Sequence, residues 1–299
     1  MKKKIILFYN NPEWNKDAFQ ELQEAPTNYI ITCDRSLFGK AHVVIFHLFD
    51  LYQHMKDDIE KTENQLWVAW NMECEEHFSW MKDKEVRELF DIRMDYFQDA
   101  DIVCPYYRNI KENNMPKVTG LEIREDKTCM MISSPFNQSR RKEYLEKLMK
   151  YTIIDSYSRL YNNKLLENDR GRESKMELYT KYKFVIAFEN AIGKDYVTEK
   201  FYDPLLAGSV PVYLGAPNID KFVPGDNCFV DVRNYKSPEE LAKYLNRCMT
   251  DEKEYMKYHK WRELPFRKSF TDMEKEQDTN PFIRLCELLD KKYFGNVQY

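Results

Sequence analysis

KFVIAFENAIGKDYVTEKFYDPLLAGSVPVYLG, residues 183–215, is the stretch that decides how the chain folds. Lys183–Phe188 is an apolar run of strand length that ends in Glu189-Asn190. A loop over 191–197 with Gly193 follows, then Thr198, whose hydroxyl suits a helix N-cap. Glu199, Lys200, Phe201, Tyr202, Leu205 and Leu206 continue as a helix, and Gly208 suits the residue just past its end. Val210–Leu214 reads as the next strand, with Gly215 turning out of it. Strand, loop, helix and strand in that order predict a parallel βαβ unit. Such units bind ligands at the carboxyl ends of their strands, beside helix N-termini. The window 193–225 holds four of the chain's eight glycines, as expected where backbone must approach a ligand closely. Lys200 opposes the helix dipole at this position, at a cost of about 0.3–1 kcal/mol, and an anion bound there would reverse the sign. On spacing alone, Glu199 and Lys200 suit a solvated helix surface equally well.

The same pattern extends outward. Strand-like runs at Lys4–Tyr9, Tyr29–Cys33, His42–Phe49, Gln65–Trp70 and Ile102–Tyr106 alternate with segments that include Leu51–Lys61 and Glu85–Phe97, which carry helical periodicity. Polar Arg108–Lys117 interrupts the pattern, with a break expected over 108–127. A second series has strands at Cys129–Ser133, Tyr151–Asp155, Phe184–Phe188, Val210–Leu214 and Cys228–Val232. Its helices are Arg140–Lys150, Glu173–Tyr182, Thr198–Ala207 and Pro238–Cys248. The expected fold class is α/β, with two Rossmann-like domains facing across a cleft: 1–125, 126–255, and a helical C-terminal tail over 256–299.

Composition narrows the function. The 299 residues are 43% hydrophobic and 32% charged, with a net charge of −4, which gives no case for a nucleic-acid partner. The seven cysteines are scattered, odd in number and without a CxxC pair, which argues for a reducing compartment. The start, MKKKIILFYNNPEW, has an apolar run only from Ile5 to Tyr9, too short for a signal peptide. No run approaches the roughly 20 apolar residues of a membrane span. A cytoplasmic protein is expected, with room for peripheral membrane contact by the tail. Asp99-Ala100-Asp101 has the spacing of a metal-binding carboxylate pair, but a turn before Ile102 explains it better. The five histidines show no H-E-x-x-H spacing, so no metal is expected.

FENAIGKDYVTEKFYDPLLAGSVPVYLG (188–215) resembles the signature of the α-1,3/1,4-fucosyltransferases, glycosyltransferase family 10, in its soluble, bacterial-type form. That signature runs F-E-N-S…D-Y-[VI]-T-E-K…[VI]-P-[VI]-x-x-G. FVPGDNCFVDV (222–232) and SSPFNQSRRKEYLEKLMKYTIIDSYSR (133–159) are similar to further family stretches, as are NMECEEHFSW (71–80) and FDIRMDYFQDADIVCPYY (90–107). The likeness spans about 66–232. It departs at Cys74-Glu75, where the family has Ser-Pro, at Phe97, where Arg is common, and at Ala191, where Ser is common.

The resemblance implies a GT-B fold and inverting, metal-independent transfer of L-fucose from GDP-fucose, with no cofactor beyond that donor. The implied acceptor is a Gal-GlcNAc or lactose-type oligosaccharide. Carried over by motif, Asn190, Tyr196 and Lys200 contact the diphosphate together with Arg141, whose neighbour Arg140 is the alternative. Glu199 holds the ribose, and Glu189 lies near the donor. Inversion needs a base for the acceptor hydroxyl. The matched carboxylate is Glu73, with Glu75, Glu76 and His77 crowding the same loop. Two rival readings stand: a GT-B transferase of another nucleotide sugar or linkage, and a silent nucleotide-binding module whose altered 73–77 loop has lost the base.

Overall fold

The two series of apolar runs become two separate, wholly parallel sheets. The computed structural model describes residues 3–24, 28–54, 59–116 and 125–295. It divides into one unit of residues 1–105 and 276–299 and another of 106–275.

The first unit contains β1 (Lys4–Asn10), α1 (Lys16–Glu24), β2 (Tyr29–Thr32), β3 (Val43–His47), α2 (Leu48–His54), β4 (Leu66–Asn71), α3 (Lys84–Arg87), β5 (Ile92–Asp95) and β6 (Ile102–Val103). Its strand order is β2-β1-β3-β4-β5-β6. Ile6, Phe8, Val43, Ile45, Val68 and Trp70 face one core cluster, whereas Leu7, Tyr9, Val44, Phe46 and Trp67 face another. Burial on both faces is why these strands read as apolar runs without alternation.

One expectation is corrected here. Glu85–Phe97 is not one helix: only Lys84–Arg87 is helical, and Ile92–Asp95 is a strand paired with both β4 and β6. Val86, Leu89, Phe90 and Met94 fit a helical period, but Ile92 and Met94 enter the core while Arg93 and Asp95 point the other way. Parallel pairing on both sides outweighs local periodicity. The helix expected over Leu51–Lys61 begins at Leu48 and is described to His54. Residues 55–58 lie outside the described residues, as do 117–124 of the expected break.

The second unit contains β7 (Glu125–Met130), α4 (Arg141–Leu148), β8 (Ile154–Ser156), α5 (Arg172–Tyr179), β9 (Tyr182–Phe188), α6 (Glu199–Leu206), β10 (Val210–Leu214), β11 (Val230–Asp231), α7 (Pro238–Thr250), α8 (Glu252–Met256) and α9 (Lys268–Glu276). Its order is β11-β10-β9-β7-β8, so the winding direction reverses between β7 and β9. That is the switch point at which open α/β sheets bind ligands. The helix starts follow capping rules: Thr198 accepts from Lys200 N, and Ser237, followed by Pro238, accepts from Glu240 N. Gly208 takes φ +76° past α6, the left-handed conformation expected of it.

The tail drawn as one segment over 256–299 is shared between the units. Phe270 of α9 is buried with Tyr107 and Trp261 in the second unit. The last helix, α10 (Pro281–Leu289), is capped by Asn280 and lies in the first unit, where the Phe282 ring sits 5.0 Å from both Phe8 and Trp70.

Candidate active site

The loops that leave β7 and β9 are stitched together at the switch point of the second unit. Ser139 Oγ donates to Glu189 O at 2.6 Å, Ser139 N donates to Asn190 O at 3.2 Å, and Ile192 N donates to Gln138 Oε1 at 2.8 Å. Arg140 is exposed and left-handed at φ +55°, and the turn it makes sends Arg141, the first residue of α4, inward. Arg141 is fully buried and donates to Phe188 O at 3.1 Å and Ser134 O at 2.8 Å. Burial lowers its pKa, and Glu189, Tyr196 and Glu199 oppose that. Three buried polar atoms near this strand end have no partner among the described residues: Arg141 Nε, Asn190 Oδ1 and the Tyr144 hydroxyl. The Tyr144 ring lies 5.6 Å from that of Phe188. Each such atom costs about 1–3 kcal/mol if nothing pairs with it, so the cluster marks a place where a ligand can complete the bonding.

Glu189 is fully buried at the end of β9. Thr198 N donates to one of its carboxylate oxygens and Thr198 Oγ1 to the other, each at 2.8 Å. Lys200 Nζ lies 3.5 Å from Glu189 Oε2 and 2.9 Å from Glu199 Oε1. The lysine at the helix start is therefore met by two carboxylates of the protein itself, which removes the electrostatic oddity of its position. Burial pushes the Glu189 pKa up to about 7, although the Lys200 cation pulls it down. Burial alone would lower the Lys200 pKa, but Glu199 and Glu189 outweigh it and the value stands raised. Burial would raise Glu199 as well, and there Lys200 wins and lowers it.

The rest of the loop is held rigidly. Asp195 takes φ +61°, and Asn218 bonds both its backbone N–H, at 3.0 Å, and its carboxylate, at 2.7 Å. Tyr196 is buried, and its carbonyl accepts from the Tyr213 hydroxyl at 3.4 Å. Gly215 must be glycine for space: a Cβ there would lie 2.3 Å from the Tyr213 hydroxyl oxygen and 2.6 Å from Glu189 Cγ. All six residues expected near a donor, Arg141, Glu189, Asn190, Tyr196, Glu199 and Lys200, thus belong to this one unit, in the segment between β9 and α6, on the first turn of α6 and at the start of α4.

Glu73 belongs to the first unit, two residues past β4. Asn71 brackets it, accepting from Glu73 N at 3.1 Å and donating to Glu73 O at 2.7 Å. Glu73 is half-buried. Among its neighbours, Glu75 pairs with Arg87 at 2.8 Å and Glu76 with Lys82 at 2.5 Å. Asp101 accepts from Arg93 N at 2.9 Å and Asp99 pairs with the Arg93 guanidinium, so that acidic pair organises a turn.

Sequence reasoning missed the residues that join distant segments, namely Ser134, Gln138, Ser139 and Asn218. It also missed His47, at the end of β3. Asn10 clamps the His47 backbone through bonds of 2.8 and 2.7 Å, and His47 Nδ1 lies 2.8 Å from Asp50 Oδ2. Burial lowers the His47 pKa against the pull of Asp50. The spacing His47-x-x-Asp50 was the available signal.

Comparison with known proteins identifies the family of the chain. The family model "Fucosyltransferase, N-terminal" matches residues 1–107, and "Glycosyltransferase family 10 (fucosyltransferase) C-term" matches 121–298. Human 4-galactosyl-N-acetylglucosaminide 3-alpha-L-fucosyltransferase 9 is 33% identical over 237 residues, which cover 78% of this chain and 63% of that protein. Human 3-galactosyl-N-acetylglucosaminide 4-alpha-L-fucosyltransferase FUT3 is 30% identical over 249 residues, 81% of this chain and 66% of that protein. The chain thus spans under two thirds of the length of these relatives. Among solved structures, an alpha1,3-fucosyltransferase with GDP-fucose superposes with a TM-score of 0.65 over 95% of this chain and 90% of that one. At 16% identity, that likeness speaks for the GT-B fold alone.

Proposed function

The chain belongs to glycosyltransferase family 10, and on that premise we propose that it is an inverting α-1,3-fucosyltransferase. It moves L-fucose from GDP-fucose to the GlcNAc or Glc of a lactosamine- or lactose-type acceptor. The observation that carries the reading is the cluster of buried charged groups at the strand end of the second unit. Lys200 and Arg141 interact with Glu189, and Arg141 Nε and Asn190 Oδ1 are buried without a partner among the described residues.

With a pKa of about 7, Glu189 is close to half protonated at neutral pH. When it takes a proton, Lys200 keeps only the partly exposed Glu199 as counter-charge and has cationic charge to spare for a diphosphate. Arg141 Nε and the Asn190 and Tyr196 side chains complete the diphosphate contacts, and Glu199 accepts from the ribose hydroxyls. In the first unit Glu73 takes the proton of the acceptor hydroxyl as its oxygen bonds to C1 of fucose. The bond from C1 to the β-phosphate oxygen breaks, and GDP leaves with the electron pair. Charge grows on the diphosphate during that step, and preplaced cations stabilise it more than they stabilise the bound donor. The reaction as proposed needs no metal ion.

Among the described residues no helix is long and apolar enough to cross a membrane. We propose a cytoplasmic location on the strength of the scattered, odd set of cysteines.

Thermal unfolding with GDP, UDP and ADP tests the donor. A nucleotide at 100 times its Kd adds about 2.7 kcal/mol of stability. Selective stabilisation by GDP supports the reading, and selective stabilisation by UDP or ADP overturns it in favour of another nucleotide sugar.

A further inference from the structure

A cavity of about 270 Å³ lies in the first unit, on the face of β4 and β5 that carries Ala69, Arg93 and Asp95. It exists because of a step in side-chain size. Along this face of β4 the residues are Trp67, Ala69 and Asn71, and the small Ala69, opposite Arg93, leaves space under the segment that carries Met81 and Val86. Water takes about 30 Å³ per molecule in the liquid, so the space holds several waters or one six-membered sugar ring. Its walls are of two kinds: Leu48, Ala69 and Met81 are apolar and buried, whereas Asn71, Glu75 and Asp95 supply hydrogen-bonding groups. An apolar wall for a ring's C–H face beside polar groups for its hydroxyls is the pattern of a small-molecule site.

Asp95 is the group with bonding capacity to spare. It is 6% exposed. One carboxylate oxygen accepts from Phe97 N at 2.8 Å, and the other lies 3.3 Å from Arg93 Nε. Arg93 is shared with Asp99. An ionised carboxylate offers about four acceptor positions, so this one keeps room for two more donors. Its incomplete compensation shows in its acidity, since burial pushes the pKa up to about 7 despite Arg93. A pair of adjacent sugar hydroxyls supplies two donors at the right spacing. The sign of the surroundings selects the sugar. Glu75, Asp91, Asp95 and Asp101 line the cavity against Arg87 and Arg93, an acidic excess that disfavours anionic sugars. Asn71 pairs with Asp95 across the strands and also brackets Glu73, so a ring held here adjoins the loop of the proposed base.

We propose that this cavity is a saccharide subsite for the neutral pyranose adjoining the ring that receives fucose, with Asp95 binding its hydroxyls. The inference rests on the fucosyltransferase reading above. The test compares transfer from GDP-fucose to N-acetyllactosamine and to N-acetylglucosamine, read as the ratio of kcat/KM for the disaccharide over the monosaccharide. Two variants are used: Asp95→Asn, which removes the charge at constant shape, and Ala69→Met, which fills the space. Melting curves confirm that each is folded. The ratio should fall about tenfold or more in both, as expected for losing hydrogen bonds to a charged group. A ratio within twofold of wild type in the folded variants overturns the subsite and leaves the enzymatic reading standing. No transfer by the wild type to either acceptor overturns that reading and the subsite with it.

Discussion

Glu189→Gln isolates the cost of the buried carboxylate at the end of β9. The side chain is fully buried, and burial lifts its pKa from the usual 4.5 to about 7. At about 1.36 kcal/mol per pKa unit, that displacement is worth roughly 3 kcal/mol. The sign follows from proton binding. The folded state holds this proton more tightly than the unfolded state does, so the stabilisation is fully present below pH 4.5 and is lost as the pH rises through about 7. The variant has no such titration. The attraction of Lys200 Nζ, 3.5 Å away, for the ionised carboxylate is already contained in that pKa and adds no separate pH dependence. Asp95, also lifted to about 7, is common to both proteins and cancels in the difference. Urea unfolding of both proteins between pH 4.5 and 8, at fixed ionic strength, should therefore show the stability difference swinging toward the variant by up to about 3 kcal/mol. A difference that stays flat over that range would refute the reasoning, because Glu189 would then have an ordinary acidity.

Gly215→Ala should destabilise the protein by about 1–3 kcal/mol in chemical denaturation, because the new methyl lands on the Tyr213 hydroxyl and Glu189 Cγ. An unchanged midpoint would mean that both neighbours can give way. Lys200→Met should weaken GDP binding tenfold or more by calorimetry, as expected for a charge-assisted contact. Equal affinity would remove Lys200 from the phosphate site. Glu73→Gln should lower kcat by a factor of about 10² to 10⁴ while GDP affinity holds, and near-normal turnover would assign the base to another group.

Much of the architecture around the end of β9 is legible in 183–215, because each signal there is local. A strand-length apolar run, a capping threonine, a helical period and a left-handed glycine specify a βαβ unit without reference to the rest of the chain. What escaped was non-local. Ser139 bonds residues 50 and 51 positions away in sequence, and Asn218 bonds Asp195 across 23. No periodicity encodes such pairs. The strand Ile92–Asp95 was hidden for a related reason: its apolar spacing fits a helix until pairing with β4 and β6 is taken into account. The return of α10 to pack Phe282 against Phe8 is likewise a long-range hydrophobic contact that a charged, helical tail does not announce. Lys200 stands out in the sequence as unusual for a helix start, but its buried counter-charge Glu189 sits eleven residues upstream and only the fold brings the two together.

The most direct test of the central claim is product analysis after incubation of the purified protein with GDP-fucose and N-acetyllactosamine. The account predicts GDP release matched by a trisaccharide carrying fucose in α linkage to O3 of GlcNAc. A product with β-linked fucose, or GDP binding without any transfer, would contradict it.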